Sequence, residues 1–187
     1  MRLDQYLVRR GLVASRSKGV QLIKMGNVLV NGKPVLKPSF DVKSCDRVEL
    51  KSKYCYVGRG GYKLEKFLGN RLDCRGRKVL DIGCSIGGFS DFFLKQGVSK
   101  VVAVDIAEDI IDKRLLKDDR LKFFGGVDAR DNKMLEMCIG DEKFDIVSVD
   151  VSIVSLKQIL PCVSKFLKPN GFIVALFKPS YEGGKDV

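Results

Sequence analysis

The chain contains no histidine and no tryptophan. Without histidine, Ser-His and Cys-His catalytic pairs, histidine general bases and most zinc sites are excluded together, so any chemistry falls to Lys, Asp, Glu, Ser or Tyr. No stretch approaches the roughly 20 uninterrupted apolar residues of a membrane-spanning helix, and the N-terminus lacks the apolar core of a signal peptide. Both absences set the expectation of a cytoplasmic protein, and a membrane-lytic activity has no segment to carry it. The cysteines, Cys45, Cys55, Cys74, Cys84, Cys138 and Cys162, include no C-x-x-C pair, so reduced thiols are the expected state.

What is present is unevenly distributed. Of the net charge of +11, residues 1–66 supply 15 Lys+Arg against 5 Asp+Glu, whereas residues 67–187 carry 19 against 18. The basicity belongs to the N-terminal third, which points to a polyanionic partner there, nucleic acid before membrane because the charges accompany compact-domain patterning. At 187 residues and 45% hydrophobic, the chain is long enough for one medium or two small globular domains.

Residues 79–90 read Val-Leu-Asp-Ile-Gly-Cys-Ser-Ile-Gly-Gly-Phe-Ser, an apolar strand running into a glycine-rich turn. The glycines do not fall as G-x-G-x-x-G, and Asp81 at the entrance would repel a pyrophosphate. An acid there suits a ligand bearing an ammonium group and no phosphate, such as S-adenosylmethionine. Its usual motif, D/E-x-G-x-G-x-G, is met by Asp81, Gly83 and Gly87, with Ser85 in place of the middle glycine and Gly88 and Phe89 following. The expected cofactor is therefore S-adenosylmethionine.

Strand-like runs recur at 78–82, 100–106, 121–125, 144–150 and 171–177, separated by helical patterns at 88–96, 108–117, 132–138 and 154–167. This alternation predicts a doubly wound, Rossmann-like α/β domain of about five parallel strands. In such sheets ligands lie beyond the carboxyl ends of the strands. Polar groups stand at those ends: Asp81 and Gly83, then Asp105 with Ile106 for a ribose diol, Asp128 with Ala129 beside an adenine, then Asp150 and Lys178. A Lys-Asp-Lys set of Lys63, Asp150 and Lys178 suits methyl transfer to a ribose 2′-hydroxyl, a poor nucleophile that must be oriented and whose developing oxyanion must be stabilised. In this scheme Lys178 accepts the proton, Asp150 orients the lysines and Lys63 aligns the hydroxyl, with a phosphate contact equally open for Lys63. The sulfonium supplies the leaving group, so no metal is required.

Upstream, 2–11 and 15–25 read as short helices, and Asn31-Gly32 between apolar runs predicts a hairpin, with a further strand at 47–50. The expected organisation is a small α+β RNA-binding domain at 1–52, a linker at 53–61 and a methyltransferase domain at 62–187. Arg2-Leu3-Asp4, Leu7, Gly11, Ser15-Arg16-Ser17-Lys18, Leu22-Ile23, Gly26, Val30-Asn31-Gly32 and Asp46-Arg47-Val48 closely resemble the αL RNA-binding module of a small-subunit ribosomal protein, pseudouridine synthases and tyrosyl-tRNA synthetase. That resemblance implies phosphate contacts from Arg2, Arg10, Arg16, Lys18, Lys24 and Lys33.

Taken whole, the chain resembles the TlyA (haemolysin A-like) family, an αL module fused to an FtsJ-like methyltransferase domain. The resemblance is carried by Arg59-Gly60-Gly61-Tyr62-Lys63-Leu64-Glu65, the 81–90 turn, Val104-Asp105, Asp150-Val151-Ser152, Leu167-Lys168-Pro169-Asn170-Gly171 and Lys178-Pro179. It implies 2′-O-methylation of cytidine in ribosomal RNA of the large and in some members the small subunit, with ribosomal RNA or subunits as partner. The alternative class is a ribosome-binding protein that keeps the fold without turnover. FtsJ-like enzymes use a Lys-Asp-Lys-Glu set whose glutamate lies on a strand beyond the fifth. Glu182 falls too early to be that residue, so a sheet without its closing hairpin and with an exposed edge strand is expected.

Overall fold

The computed structural model describes residues 1–51 and 56–183. The chain divides into two compact units, Met1–Cys55 and Tyr56–Val187. Cys55, part of the expected linker and the last four residues of the expected methyltransferase domain lie outside the described residues.

In the first unit, helices α1 (Leu3–Arg9) and α2 (Arg16–Lys24) bury Leu3, Leu7, Leu22 and Ile23. Ser15 caps α2 by accepting a hydrogen bond from the Lys18 amide. Strands β1 (Val28–Val30), β2 (Lys33–Pro34) and β3 (Val48–Leu50) form an antiparallel sheet in the order β2-β1-β3. The β1–β2 hairpin turns through Asn31 and Gly32, both at positive φ (50° and 77°), as a two-residue turn that matches strand twist requires. Asp4 is sealed from water and accepts hydrogen bonds from the guanidinium groups of Arg2 (3.1 Å) and Arg16 (2.8 Å). Those hydrogen bonds hold its carboxyl down at about 2.

In the second unit, β4 (Lys78–Ile82), β5 (Lys100–Val104), β6 (Leu121–Phe124), β7 (Phe144–Val149) and β8 (Leu167–Ala175) form a wholly parallel sheet in the order β6-β5-β4-β7-β8. The chain starts at the centre, builds outward to β6, then returns to the other side of β4, which places the reversal of strand order at β4. Helices α3 (Arg59–Leu68), α4 (Gly88–Lys95), α5 (Asn132–Ile139), α6 (Leu156–Ser164) and the short α7 (Pro179–Glu182) complete the unit. Alternation along the strands sends Leu80, Ile82, Val102, Val104, Val147 and Val149 against Leu135 and Ile139 of α5 and Ile159 and Val163 of α6. The opposite face meets α4, whose Phe92 and Phe93 are fully buried and pack edge to face. No helix among the described residues is long and apolar enough to cross a membrane.

Three expected elements are corrected. The stretch 108–117 is not an α-helix and keeps only a 3-10 turn at Leu115–Lys117. The Asp112 amide donates to the Ile86 carbonyl, and Ile111 and Leu115 pack against Gly87, so tertiary contacts override the local spacing. Helix α3 begins at Arg59, inside the expected linker. The last strand runs Leu167–Ala175 rather than 171–177, with a register shift opposite Phe144 and Ile146. As the outermost strand on its side, β8 is only half-buried along most of its length.

Asp81, on the α4 side of β4, is fully buried and accepts hydrogen bonds from Ser90 Oγ (2.6 Å) and Ser148 Oγ (2.8 Å). Desolvation outweighs these bonds and pushes its pKa up to about 6, against 3.8 in an unfolded chain. The folded state therefore binds this proton more tightly, and its contribution to stability is complete below about pH 4 and lost as pH rises towards 6. Asp4 acts in the opposite sense, its contribution being present above about pH 4 and lost as pH falls towards 2. Asp81→Asn should flatten the decline of stability between about pH 4 and 6, read by urea unfolding at stepped pH. A variant with the parent's slope would assign that decline to another group.

Candidate active site

The carboxyl ends of β4, β5 and β7 open into two adjoining cavities of about 540 and 310 Å³, within the size range of small-ligand sites. The glycine loop between β4 and α4 separates them. Gly83 leaves β4 at φ +73°, and a Cβ there would stand 2.9 Å from the Asp150 carbonyl oxygen, so a side chain would collide with the end of β7. Ser85, itself at φ +50°, donates its amide to Asp105 Oδ2 (2.8 Å), while the Ala107 amide donates to Oδ1 (2.9 Å). Asp105 thus clamps the loop to the end of β5, and each of its oxygens keeps a lone pair for a ligand.

The larger cavity has apolar walls from Ile106, Ile110, Val127 and Ala129, with Asp105, Asp128 and Asp150 at its polar positions. A flat aromatic ring beside apolar side chains and a diol beside a carboxylate are the two features of a nucleoside that this lining matches. Asp128 is engaged by Arg130, whose Nη2 donates to Oδ2 (2.6 Å), and this hydrogen bond holds the carboxyl below its usual range.

The smaller cavity brings Lys63, Asp150 and Lys178 together. Lys178 Nζ stands 2.7 Å from Asp150 Oδ1 and donates to the Val151 carbonyl (2.8 Å) and Ser152 Oγ (3.1 Å). Among the described residues Asp150 Oδ1 accepts no aligned hydrogen bond, so it meets the lysine through charge and retains acceptor capacity. Lys63 arrives from the second turn of α3. A Cβ on Gly88 would stand 3.2 Å from the backbone of Gly60, so α3 and the glycine loop meet main chain to main chain.

Of the expected site residues, Gly83, Ser85, Asp105, Ile106, Asp128, Ala129 and Asp150 line the larger cavity. Lys63, Gly88, Phe89 and Lys178 line the smaller one, which also shares Gly83, Ser85 and Asp150. Asp81 and Gly87 line neither. Asp81 points to α4 and shapes the loop from behind, while Gly87, at φ +91°, makes room for Leu115, whose Cδ1 would lie 2.3 Å from a Cβ there. Glu182 is also elsewhere: its carboxylate accepts hydrogen bonds from Ser155 Oγ (2.6 Å) and the Leu156 amide (2.7 Å), capping α6.

Arg59, Ser152, Ile153 and Arg130 line the cavities without having been expected. Arg130 had a signal, since Asp-x-Arg recurs at 73/75, 112/114, 118/120 and 128/130 and each instance forms an ion pair. The partnership of Ser152 with Lys178 had none, because it exists only once β7 and β8 pair.

On the first unit, Arg2, Arg16 and Lys24 border one groove with Asp4 at its base. The other three expected RNA contacts lie outside its lining: Arg10 stacks over the Tyr6 ring (5.5 Å), Lys18 is half-buried on α2 and Lys33 is exposed on β2.

Residues 56–187 match the model of the FtsJ-like methyltransferase family, and residues 1–48 match that of the S4 domain. Over 97% of its length the chain is 37% identical to the hemolysin A of Brachyspira hyodysenteriae, covering 75% of that protein. The chain belongs to the TlyA/hemolysin A family of FtsJ-like methyltransferases. A TlyA from Mycobacterium tuberculosis, named as a 16S/23S rRNA (cytidine-2′-O)-methyltransferase, is 34% identical over 98% of this chain and 69% of its own. A Streptococcus thermophilus structure solved under the hemolysin name superposes with a TM-score of 0.66 at 33% identity, covering all of this chain and 68% of that one.

For this TlyA-family member, Gly83→Ala combines an unfavourable φ with a main-chain collision at Asp150. A loss of about 1–3 kcal/mol is expected in urea unfolding. Unchanged stability would show that the loop can move away from β7.

Proposed function

We propose that this chain transfers a methyl group from S-adenosylmethionine to the ribose 2′-hydroxyl of cytidine in ribosomal RNA. One observation carries the proposal: a cavity with nucleoside-like lining adjoins a second that gathers Lys63, Asp150 and Lys178, and the two share Asp150. The S4 domain match and the activity named for the M. tuberculosis relative support ribosomal RNA as the acceptor.

The donor fits the larger cavity, where Asp105 would take the ribose diol and Ile106, Val127 and Ala129 would flank the adenine. When bound, S-adenosylmethionine supplies a methyl group activated by its sulfonium. The remaining work falls to this chain's side chains. Lys178 as an ammonium donates to the Val151 carbonyl and Ser152 Oγ and faces Asp150 through charge, which leaves one N–H uncommitted. After releasing one proton to solvent it keeps donors for the Val151 carbonyl and Ser152 Oγ and offers a lone pair to the ribose hydroxyl. It then takes the hydroxyl proton as the methyl carbon–oxygen bond forms and the methyl–sulfur bond breaks, the pair remaining on sulfur as a neutral thioether. Asp150 holds Nζ in place, and Lys63 helps align the ribose hydroxyl.

Lys178→Ala should lower turnover at least about 100-fold while leaving S-adenosylmethionine affinity within about twofold of the parent, whereas Asp105→Ala should weaken that affinity about tenfold or more. Labelled-methyl incorporation into ribosomal subunits lacking the modification, together with calorimetry, reads both. Parental turnover by Lys178→Ala would remove the assignment of that residue. Binding of subunits by the parent without incorporation would make it a ribosome-binding protein instead.

A further inference from the structure

We propose that Arg59 and Lys63 form a subsite for the internucleotide phosphate 3′ to the target ribose, with Arg59 a positioning residue for the RNA. This subsite presupposes the 2′-O-methyl transfer proposed above and specifies how the acceptor is held.

Arg59 and Lys63 are four residues apart on α3, which puts them on one face of the helix, and both line the smaller cavity. Like charges at this spacing repel, so the arrangement is unfavourable unless an anion joins them. Among the described residues neither has an ion pair or hydrogen bond. Arg75, Arg114, Arg120 and Arg130 of the same unit are each paired with the aspartate two positions earlier, whereas Arg59, unlike the exposed and equally unpaired Arg71, lines a cavity. Position 57 is a valine, and no such acid precedes Arg59. The cavity carries three cations, Arg59, Lys63 and Lys178, against one carboxylate, Asp150, and that carboxylate is already paired with Lys178. The excess positive charge lies on the α3 side.

The neighbouring glycines keep the cations at this wall. A Cβ on Gly58 would stand 2.9 Å from Ile86 Cδ1, and one on Gly60 would stand 3.0 Å from Phe89 Cδ1. The first turn of α3 is thereby pressed onto the glycine loop, and Arg59 and Lys63 are the side chains it gives to the cavity. The acceptor chemistry supplies the anion. A ribose 2′-hydroxyl sits on the carbon adjacent to the one bearing the 3′-phosphate, so a sugar presented to Lys178 brings a phosphodiester with it. A guanidinium offers that group two parallel donors, and an ammonium adds a point charge. Fixing the phosphate fixes the ribose, which is the positioning that a weak nucleophile needs.

The test uses the full chain and a short cytidine-containing RNA with either a phosphodiester or an uncharged methylphosphonate immediately 3′ to the cytidine. The parent should bind the charged RNA about tenfold more tightly. Arg59→Ala should lose most of that discrimination, and Arg59→Lys should regain part of it. With ribosomal subunits, Arg59→Ala should raise KM about tenfold with kcat within about threefold of the parent, and should lower the slope of log affinity against log salt by about one. Parental discrimination in Arg59→Ala, or a fall in kcat at unchanged KM, would overturn the subsite. The binding arm needs no turnover, so a parent that discriminates but never methylates would refute the reaction while keeping the phosphate contact. A parent that methylates and is indifferent to Arg59→Ala would do the reverse.

Discussion

The buried carboxylate of Asp81 is the constraint on which the second unit is organised. It ties three elements at one point: β4, which carries it, α4 through Ser90, and β7 through Ser148. Burial of a carboxylate without partners would be prohibitive, and here two hydroxyl donors offset part of the cost. Most groups of the candidate site hang from these elements or abut them, Asp128 and Ala129 beyond β6 being the exceptions. The glycine loop leaves β4, Gly88 begins α4, Asp150 follows β7, and Lys178 is held against the segment just beyond β7. The knot itself has no contact with either cavity. It sets the geometry that places the groups which do.

Much of this was legible in the sequence, for physical reasons that can be traced to particular residues. Strands buried on both faces read as near-continuous apolar runs, and polar residues at their carboxyl ends stand out against them. That is why Asp105, Asp128, Asp150 and Lys178 stand out in the sequence, and all four line the cavities. Asp81 lines neither cavity, a detail the motif does not carry because it gives order along the chain but not the face of the strand. Alternation puts it with Val79 towards α4, away from the ligand end. The 108–117 segment has helical spacing, yet its amides and apolar side chains are claimed by the glycine loop. Arg59 was hidden because Gly58, Gly60 and Gly61 read as a flexible run, since glycine disfavours helix. Their absence of side chains is instead a packing requirement. A Cβ on Gly61 would lie 2.4 Å from the Tyr56 ring, where no adjustment of a single rotamer makes room.

The first unit shows how far a charge count carries. The asymmetry identified the basic domain, but formal charge does not say which cations are already neutralised. Arg2 and Arg16 share the Asp4 carboxylate, so each keeps only part of its field for a partner. The same contact fixes their direction, and Lys24 joins them at one groove. Pre-ordered arginines lose less entropy on meeting a phosphate than free ones, so partial neutralisation and improved geometry act together.

The main-chain contact between Gly60 and Gly88 has a consequence for how two ligands would be taken up. With no side chain between them, the first turn of α3 and the loop after β4 have nothing compressible at their junction, and a displacement of one is transmitted to the other. Groups bound to the loop and to α3 would therefore press on one shared junction. If the loop takes the donor and α3 the RNA, as proposed, any coupling through this junction acts equally in both directions.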